Sequence, residues 1–200
     1  MKRARIILAS RSTARVKMLR AAGVKFTAIP ADINEERVIK KLQKQKRSPR
    51  IISKTLAQQK ALAISKKNPG ALVIGSDQVL TCEGRFLTKA GNAKDAANKI
   101  KSLCGKTHIL TSAVCVARDG KILWSHISNA HMKARNFDDG LLKAYLAKAG
   151  PALTRSVGGM EIEGMGSWLI HYARGDFFTI LGMPLLPLLG YLHDEHGILP

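Results

Sequence analysis

The chain has 200 residues, 46% of them hydrophobic, with 33 Lys and Arg against 14 Asp and Glu, a formal net charge of +19. That length suits one domain with a buried core, and no apolar run approaches the roughly 18 residues of a membrane span. So large a positive field attracts polyanions, nucleic acid or phosphorylated small molecules, although an aromatic content of 5% is sparse for the stacking platforms of single-strand binders.

The opening MKRARIILAS sets basic residues before an apolar patch that is shorter than a signal-peptide core. Residues 4–9 predict a strand. Ser10 or Ser12 then caps a helix with Val16, Leu19 and Ala22 on one face and Gly23 as its stop. Arg11 and Arg15 at that helix start suit an anion cradle, because free amide N–H groups and the helix dipole favour phosphate there; a capped surface helix with solvated arginines is the plainer reading. Residues 26–36 read as extended and then as a loop ending in Asp32, Glu35 and Glu36. Residues 37–50, nearly all basic or polar, read as a solvated, mobile segment, and 51–66 as a helix with Lys60 among its polar positions.

Residues 71–74 form an apolar run between Pro69-Gly70 and Gly75, which predicts a buried strand, and Asp77 follows it. No other acidic residue occurs between 37 and 76, an interval with eleven Lys and Arg. Ligands of open α/β sheets bind beyond the carboxyl ends of strands, so Asp77 is a candidate metal ligand or general base, with a turn cap as the alternative. Glu83-Gly84 predicts a turn with a short return over 86–89, and Asn92 caps a helix over 93–103. Asp119-Gly120 predicts a hairpin between 108–117 and 121–130. Asp138 begins a helix that stops at Gly150-Pro151, Gly175-Asp176 centres a final hairpin, and 183–193 is an apolar helix starting at Pro184. Strands alternating with helices and then pairing as hairpins indicate an α/β fold with a mixed, curved central sheet flanked by helices, a single domain with room for a two-lobed cleft. The domain spans 1–200, with an ordered core over about 4–193.

Most carboxylates fall in turns, at helix starts or near the tail. Glu35 and Glu36, Asp77, and Glu161 and Glu163 remain in loops beside Gly or Asn, a pattern that suits a hard cation with a phosphate substrate. His193 and His196 lack a third ligand for zinc. Cys82, Cys104 and Cys115 are odd in number and show no C-x-x-C spacing, which fits reduced thiols in a cytoplasmic protein.

Taken in order, these strings resemble the Maf (septum-formation) family of nucleoside triphosphate pyrophosphatases over nearly the whole chain. LASRSTAR is similar to the family's opening at Leu8, Ala9, Ser10, Ser12 and Arg15; LAQQKA carries its lysine at Lys60; IGSDQV carries its aspartate at Asp77; and Lys89 stands for the lysine of its K-P pair. LCGKTH, TSAV, VGGMEIEGMG and LGMPL resemble its later motifs. Thr13, Ala14, Asn34 and Ala90 depart from it.

The resemblance implies a Maf/ITPase-like fold and a hydrolase of acid anhydrides that cleaves a nucleoside triphosphate, ordinary or modified, to the monophosphate and pyrophosphate. It also implies the family's associated roles in clearing non-standard nucleotides and in cell-division arrest. It puts Asp77, Lys60 and Lys89 in catalysis, Ser10, Ser12, Arg15, Gln78 and Glu163 on the substrate, and Mg²⁺ or Mn²⁺ on Asp77 and Glu35. It implies a homodimer in the cytoplasm, with no need of nucleic acid or membrane. Gln78 with Glu163 resembles the 7-methyl-GTP branch rather than the dTTP/UTP branch. A basic nucleic-acid-binding protein without catalysis, contacting through 40–54, is the rival reading.

Overall fold

The computed structural model describes residues 4–200; residues 1–3, the basic start of the opening segment, lie outside the described residues. The elements in chain order are β1 (Ile6–Leu8), α1 (Thr13–Ala21), β2 (Thr27–Ala28), α2 (Glu35–Lys44), α3 (Pro49–Ser65), β3 (Leu72–Cys82), β4 (Arg85–Leu87), α4 (Ala93–Leu103), β5 (Thr107–Arg118) and β6 (Lys121–Ala134). They continue with α5 (Asp139–Ala149), α6 (Ala152–Arg155), a 3₁₀ turn (Met165–Leu169), β7 (Ile170–Arg174), α7 (Phe177–Ile180) and α8 (Leu185–His196). The strands form one sheet in the order β2-β1-β3-β5-β6-β7, with β4 beside β3. Parallel pairs (β1 with β2 and with β3) and antiparallel pairs (β3 with β4, β6 with β7) make it a mixed α/β sheet. Among the described residues no helix is long and apolar enough to cross a membrane.

The chain divides into two compact units. The first comprises Met1–Gln78, Thr111–Ser128 and Asp176–Pro200, and the second Val79–Leu110 and Asn129–Gly175. In the first unit the two-residue period of a strand sorts the core onto two sheet faces. Ile6, Leu8, Leu72, Ile74, Val114 and Val116 pack with Met18 and Leu19 of α1 and Leu185, Leu188 and Leu192 of α8. Their alternates Ile7, Val73, Ala113, Cys115 and Ala117 pack with Ala57, Ala61 and Ile64 of α3. Strands covered on both faces read as continuous apolar runs, which is why 4–9 and 71–74 were legible. In the second unit Ala96 and Ile100 of α4, Leu142 and Tyr145 of α5 and Leu169 share a core, and the Tyr145 hydroxyl donates to the Gly159 carbonyl at 2.5 Å.

Local signals placed several elements as expected. Ser12, Asn92 and Asp138 each accept from a backbone N–H in the first turn of the helix they cap. Asp119 and Gly120 have φ of 51° and 73°, the left-handed pair that a two-residue hairpin turn requires. The three cysteines are free thiols, two of them buried.

Three expectations are corrected. Strand β3 does not stop before Gly75 but continues to Cys82, so Asp77 lies inside it. Residues 37–50, read as a mobile segment, carry most of α2 and the start of α3; Asn34 caps α2, placing Glu35 and Glu36 in its first turn rather than in a loop. No side chain of α2 is buried, so the segment is solvated as expected. Gly175-Asp176 does not centre a hairpin. Asp176 caps the short helix α7, its carboxylate accepting from the Thr179 N–H and hydroxyl, both at 2.7 Å.

His108 of β5 is 2% exposed in the second unit, and its Nδ1 has no partner. Burial holds its pKa down to about 4 against an ordinary 6.5. Between those values the unfolded chain binds the extra proton, so stability falls as pH drops through the window, by up to about 3 kcal/mol for this group. Denaturant unfolding of wild type and His108→Gln at pH 7 and pH 4.5 tests this. The wild type should lose about 2–3 kcal/mol more than the variant on acidification; equal losses remove His108 from the acid response.

Candidate active site

The site lies in the first unit, where β1 ends and β3 runs on. The last β1 register pair is Leu8 with Ile74, and the Ala9 N–H then donates to the Ile74 carbonyl at 2.8 Å before the chain turns into α1. Residues 75–78 of β3 therefore extend past the carboxyl end of its parallel neighbour. A strand end does mark the site, and the strand is β1 rather than β3.

Strand parity then divides the side chains. Gly75 and Asp77 take the face of Val73, toward α3. A Cβ added to Gly75 would collide with the Ala57 carbonyl oxygen and come within 2.8 Å of the Ala61 backbone nitrogen, so helix and strand are at backbone contact there. Lys60, one residue before Ala61, is thereby brought to Asp77: its Nζ lies 2.6 Å from Asp77 Oδ1 and 3.0 Å from Glu35 Oε1. The Lys60 and Asp77 side chains are 9% and 8% exposed, whereas Glu35, in the first turn of α2, is 50% exposed. Burial pushes the Asp77 carboxyl above the usual carboxylate range, against the pull of Lys60 and Arg15.

Ser76 and Gln78 take the opposite face, toward the segment joining α7 to α8. The Gly182 carbonyl accepts from Arg15 Nε at 2.9 Å and from the Ser76 hydroxyl at 3.0 Å. Gly182 has φ of +105°, a left-handed conformation that favours glycine. Gln78 Nε2 lies 3.0 Å from the Ser112 hydroxyl and from the Thr179 and Ile180 carbonyls, and Ser112 itself donates to Thr179 at 2.8 Å. The Gln78 nitrogen is thus committed to fastening β3, β5 and α7. Ser10 Oγ accepts from the Ser12 N–H at 3.1 Å and from Arg15 Nη1 at 3.4 Å, and Ser12 caps α1. Burial lowers the Arg15 pKa, opposed by Asp77 and Glu35; a guanidinium remains a cation at neutral pH all the same.

Of the residues singled out from sequence, Ser10, Ser12, Arg15, Glu35, Lys60, Asp77 and Gln78 come together in this unit. Lys89 and Glu163 belong to the second unit and are exposed there. The Lys89 carbonyl accepts from Lys99 Nζ at 3.0 Å. Glu163 sits in the glycine-flanked loop that also holds Glu161, which pairs with both Nε and Nη2 of Arg155 at 2.8 Å. Ser76, Ser112, Thr179 and the Gly182 carbonyl were not singled out. TSAV and LGMPL pointed at the right strings, but nothing in them marks a backbone oxygen as an acceptor.

Two carboxylates and two buried cations at the end of a parallel strand, beside a hydroxyl-lined helix start, form an α/β site suited to phosphate chemistry. The chain belongs to the Maf-like protein family, which it matches over residues 5–195. A relative from Bradyrhizobium diazoefficiens is 46% identical over 193 residues, covering 96% of this chain and 95% of its own length, and bears the name nucleoside triphosphate pyrophosphatase. One from Paramagnetospirillum magneticum with the same name is 43% identical over 97% of this chain and 100% of its own length. A third, from Brucella abortus, is 42% identical over 97% of this chain and 98% of its own length and is named 7-methyl-GTP pyrophosphatase.

The β3–α3 contact generates a prediction. Gly75→Ala should overpack it by about 1–3 kcal/mol and pull Lys60 from Asp77, lowering both the unfolding midpoint and any activity of the site. A variant with an unchanged midpoint would show that the backbone approach is not required.

Proposed function

We propose that the chain hydrolyses a nucleoside triphosphate to the monophosphate and pyrophosphate at the Asp77 site. The observation that carries this reading is the Lys60 ammonium held between Asp77 and Glu35 with the buried Arg15 nearby. The names of the relatives support it. The guanidinium N–H groups of Arg15 not used on Gly182 and Ser10, together with the start of α1, bind phosphate oxygens and orient the chain for in-line attack. Asp77 takes the proton from the attacking water. A base works best when its pKa lies near the working pH, and burial moves the Asp77 carboxyl in that direction. Lys60 and Lys89 offset charge gathering on the phosphate oxygens.

A divalent cation fits this donor set. Among the described residues no group of three or more His, Cys, Asp or Glu could hold a metal, but Mg²⁺ is commonly held by one or two carboxylates, with substrate phosphates and waters completing its shell. Asp77 and Glu35 already converge on one cationic atom and would hold Mg²⁺ or Mn²⁺. Bound there, the cation would supply charge neutralisation at the phosphates.

For the base, the reading is a guanine, methylated or not. Glu163 is a carboxylate in a loop flanked by glycine, and one carboxylate can accept from both donors on a guanine edge, which uracil and thymine do not offer. The two names among the relatives leave either a general or a 7-methyl-GTP substrate open to test.

Pyrophosphate release with Mg²⁺ and a panel of 7-methyl-GTP, GTP, UTP and dTTP tests activity and base together. Asp77→Asn should lower kcat by about 10²–10⁴-fold, and Lys60→Met or Lys89→Met should cost about 2–4 kcal/mol in kcat/KM. Near-normal turnover of Asp77→Asn excludes the assigned base, and no release from any triphosphate excludes the whole reading. Glu163→Gln should erode discrimination against UTP and dTTP while hydrolysis persists, because rejection rests on leaving a carboxylate unpaired. A wild type that already prefers UTP or dTTP refutes the guanine assignment.

A further inference from the structure

Hydrolysis leaves most of the positive charge unused, and its densest run is in the first unit. Residues 37–54 hold Arg37, Lys40, Lys41, Lys44, Lys46, Arg47, Arg50 and Lys54 and no acidic residue. All but Lys54 are exposed. Among the described residues only Lys40 has an acidic partner, Glu36 on the preceding turn.

Helix geometry concentrates this charge. At 100° per residue, Arg37, Lys40, Lys41 and Lys44 fall within an arc of about 100° and about 10 Å of axis. Val38, Ile39 and Leu42 fall on the opposite side and are half-buried, and the helix packed against α2 is α3. Arg47, Arg50 and Lys54 prolong the charge beyond the helix end. Lys41 and Lys44 lie in the last turn, where the helix dipole favours cations, but the dipole does not account for the other six.

We propose that the outer arc of α2, continued through Arg47, Arg50 and Lys54, docks the phosphate backbone of a nucleic-acid duplex without reading its sequence. A duplex presents about one negative charge per 1.7 Å of axis, and cations that contact phosphates gain by releasing its condensed counterions. There is no aromatic residue between 27 and 85 to stack on an unpaired base. An anionic membrane is the poorer fit, because an interfacial helix inserts its apolar face and that face of α2 is half-buried in the fold. Docking is separate from hydrolysis and uses none of the residues assigned to it.

The test compares three full-length proteins for binding a fluorescein-labelled 20-base-pair DNA duplex by anisotropy at 50–200 mM salt: wild type, Arg37→Gln/Lys41→Gln/Lys44→Gln/Arg47→Gln, and Lys94→Gln/Lys121→Gln/Lys143→Gln/Lys148→Gln. Both variants lose four charges, the second from exposed positions elsewhere, and glutamine keeps helix propensity close to that of Lys and Arg. The first variant should bind at least about tenfold more weakly, with a salt slope shallower by about 2–4. The second should stay within about twofold of wild type. Unfolding midpoints and triphosphate hydrolysis matching wild type in the first variant establish that its loss is local. Should that variant lose its fold, Arg47→Gln/Arg50→Gln, both outside α2, replaces it and should weaken binding about threefold or more. Equal weakening by the two quadruple variants, absence of wild-type binding at 100 mM salt, or retention of the wild type by phosphatidylserine vesicles but not by the duplex overturns the proposal.

Discussion

Lys60 and Asp77 face each other almost without water. Taking both charges out of solvent is costly, and a buried pair is rarely a net source of stability, whereas removing one partner strands the other. The rest of the first unit is arranged to make this pair unavoidable. Gly75, Ala57 and Ala61 leave no side-chain bulk between strand and helix, so α3 lies where its lysine must meet the strand's aspartate. Glu35 then adds a second, more exposed carboxylate to the same ammonium. Three elements share one charge cluster, and shifting the register of any of them would leave a charge unpaired.

Strand parity performs the other division. Along residues 75–78 the odd positions meet α3 with the ionised groups, and the even positions meet the segment before α8 through hydroxyl and amide hydrogen bonds. The strand that carries the proposed proton acceptor is therefore held from behind by hydroxyl and amide hydrogen bonds, joined at the Gly182 carbonyl by the Arg15 guanidinium. The Ser76 hydroxyl lies within hydrogen-bond reach of two carbonyls, Ala113 at 2.9 Å and Gly182 at 3.0 Å, so its one proton is shared between the neighbour β5 and the turn before α8.

What the sequence made legible was local. Ser12, Asn92 and Asp138 announced helix starts because a cap acts over three residues, and Asp119-Gly120 announced its turn because two successive left-handed residues need such a pair. Gly75 misled because glycine inside a strand pattern reads as a break, although here it answers to a helix that no local rule can see. The helix α2 was missed because its three apolar residues are scattered among cations. Asp176 was read with Gly175 as a hairpin centre and not as a cap, because the apolar run after it was too short for periodicity to reveal a helix. Of the site, the resemblance supplied the side chains, but the Gly182 carbonyl carried no signal, since every residue has one.

The Gly182 oxygen joins Arg15, 167 residues earlier, to the end of the chain. All strands of the first unit precede residue 135, yet until Gly182 is made the guanidinium beside Asp77 has no acceptor for its Nε–H. The orientation of the arginine thus depends on a contact of long sequence separation, the kind that closes late in folding. A chain cut before residue 182 would contain every strand of the first unit and lack the acceptor that orients the arginine near Asp77.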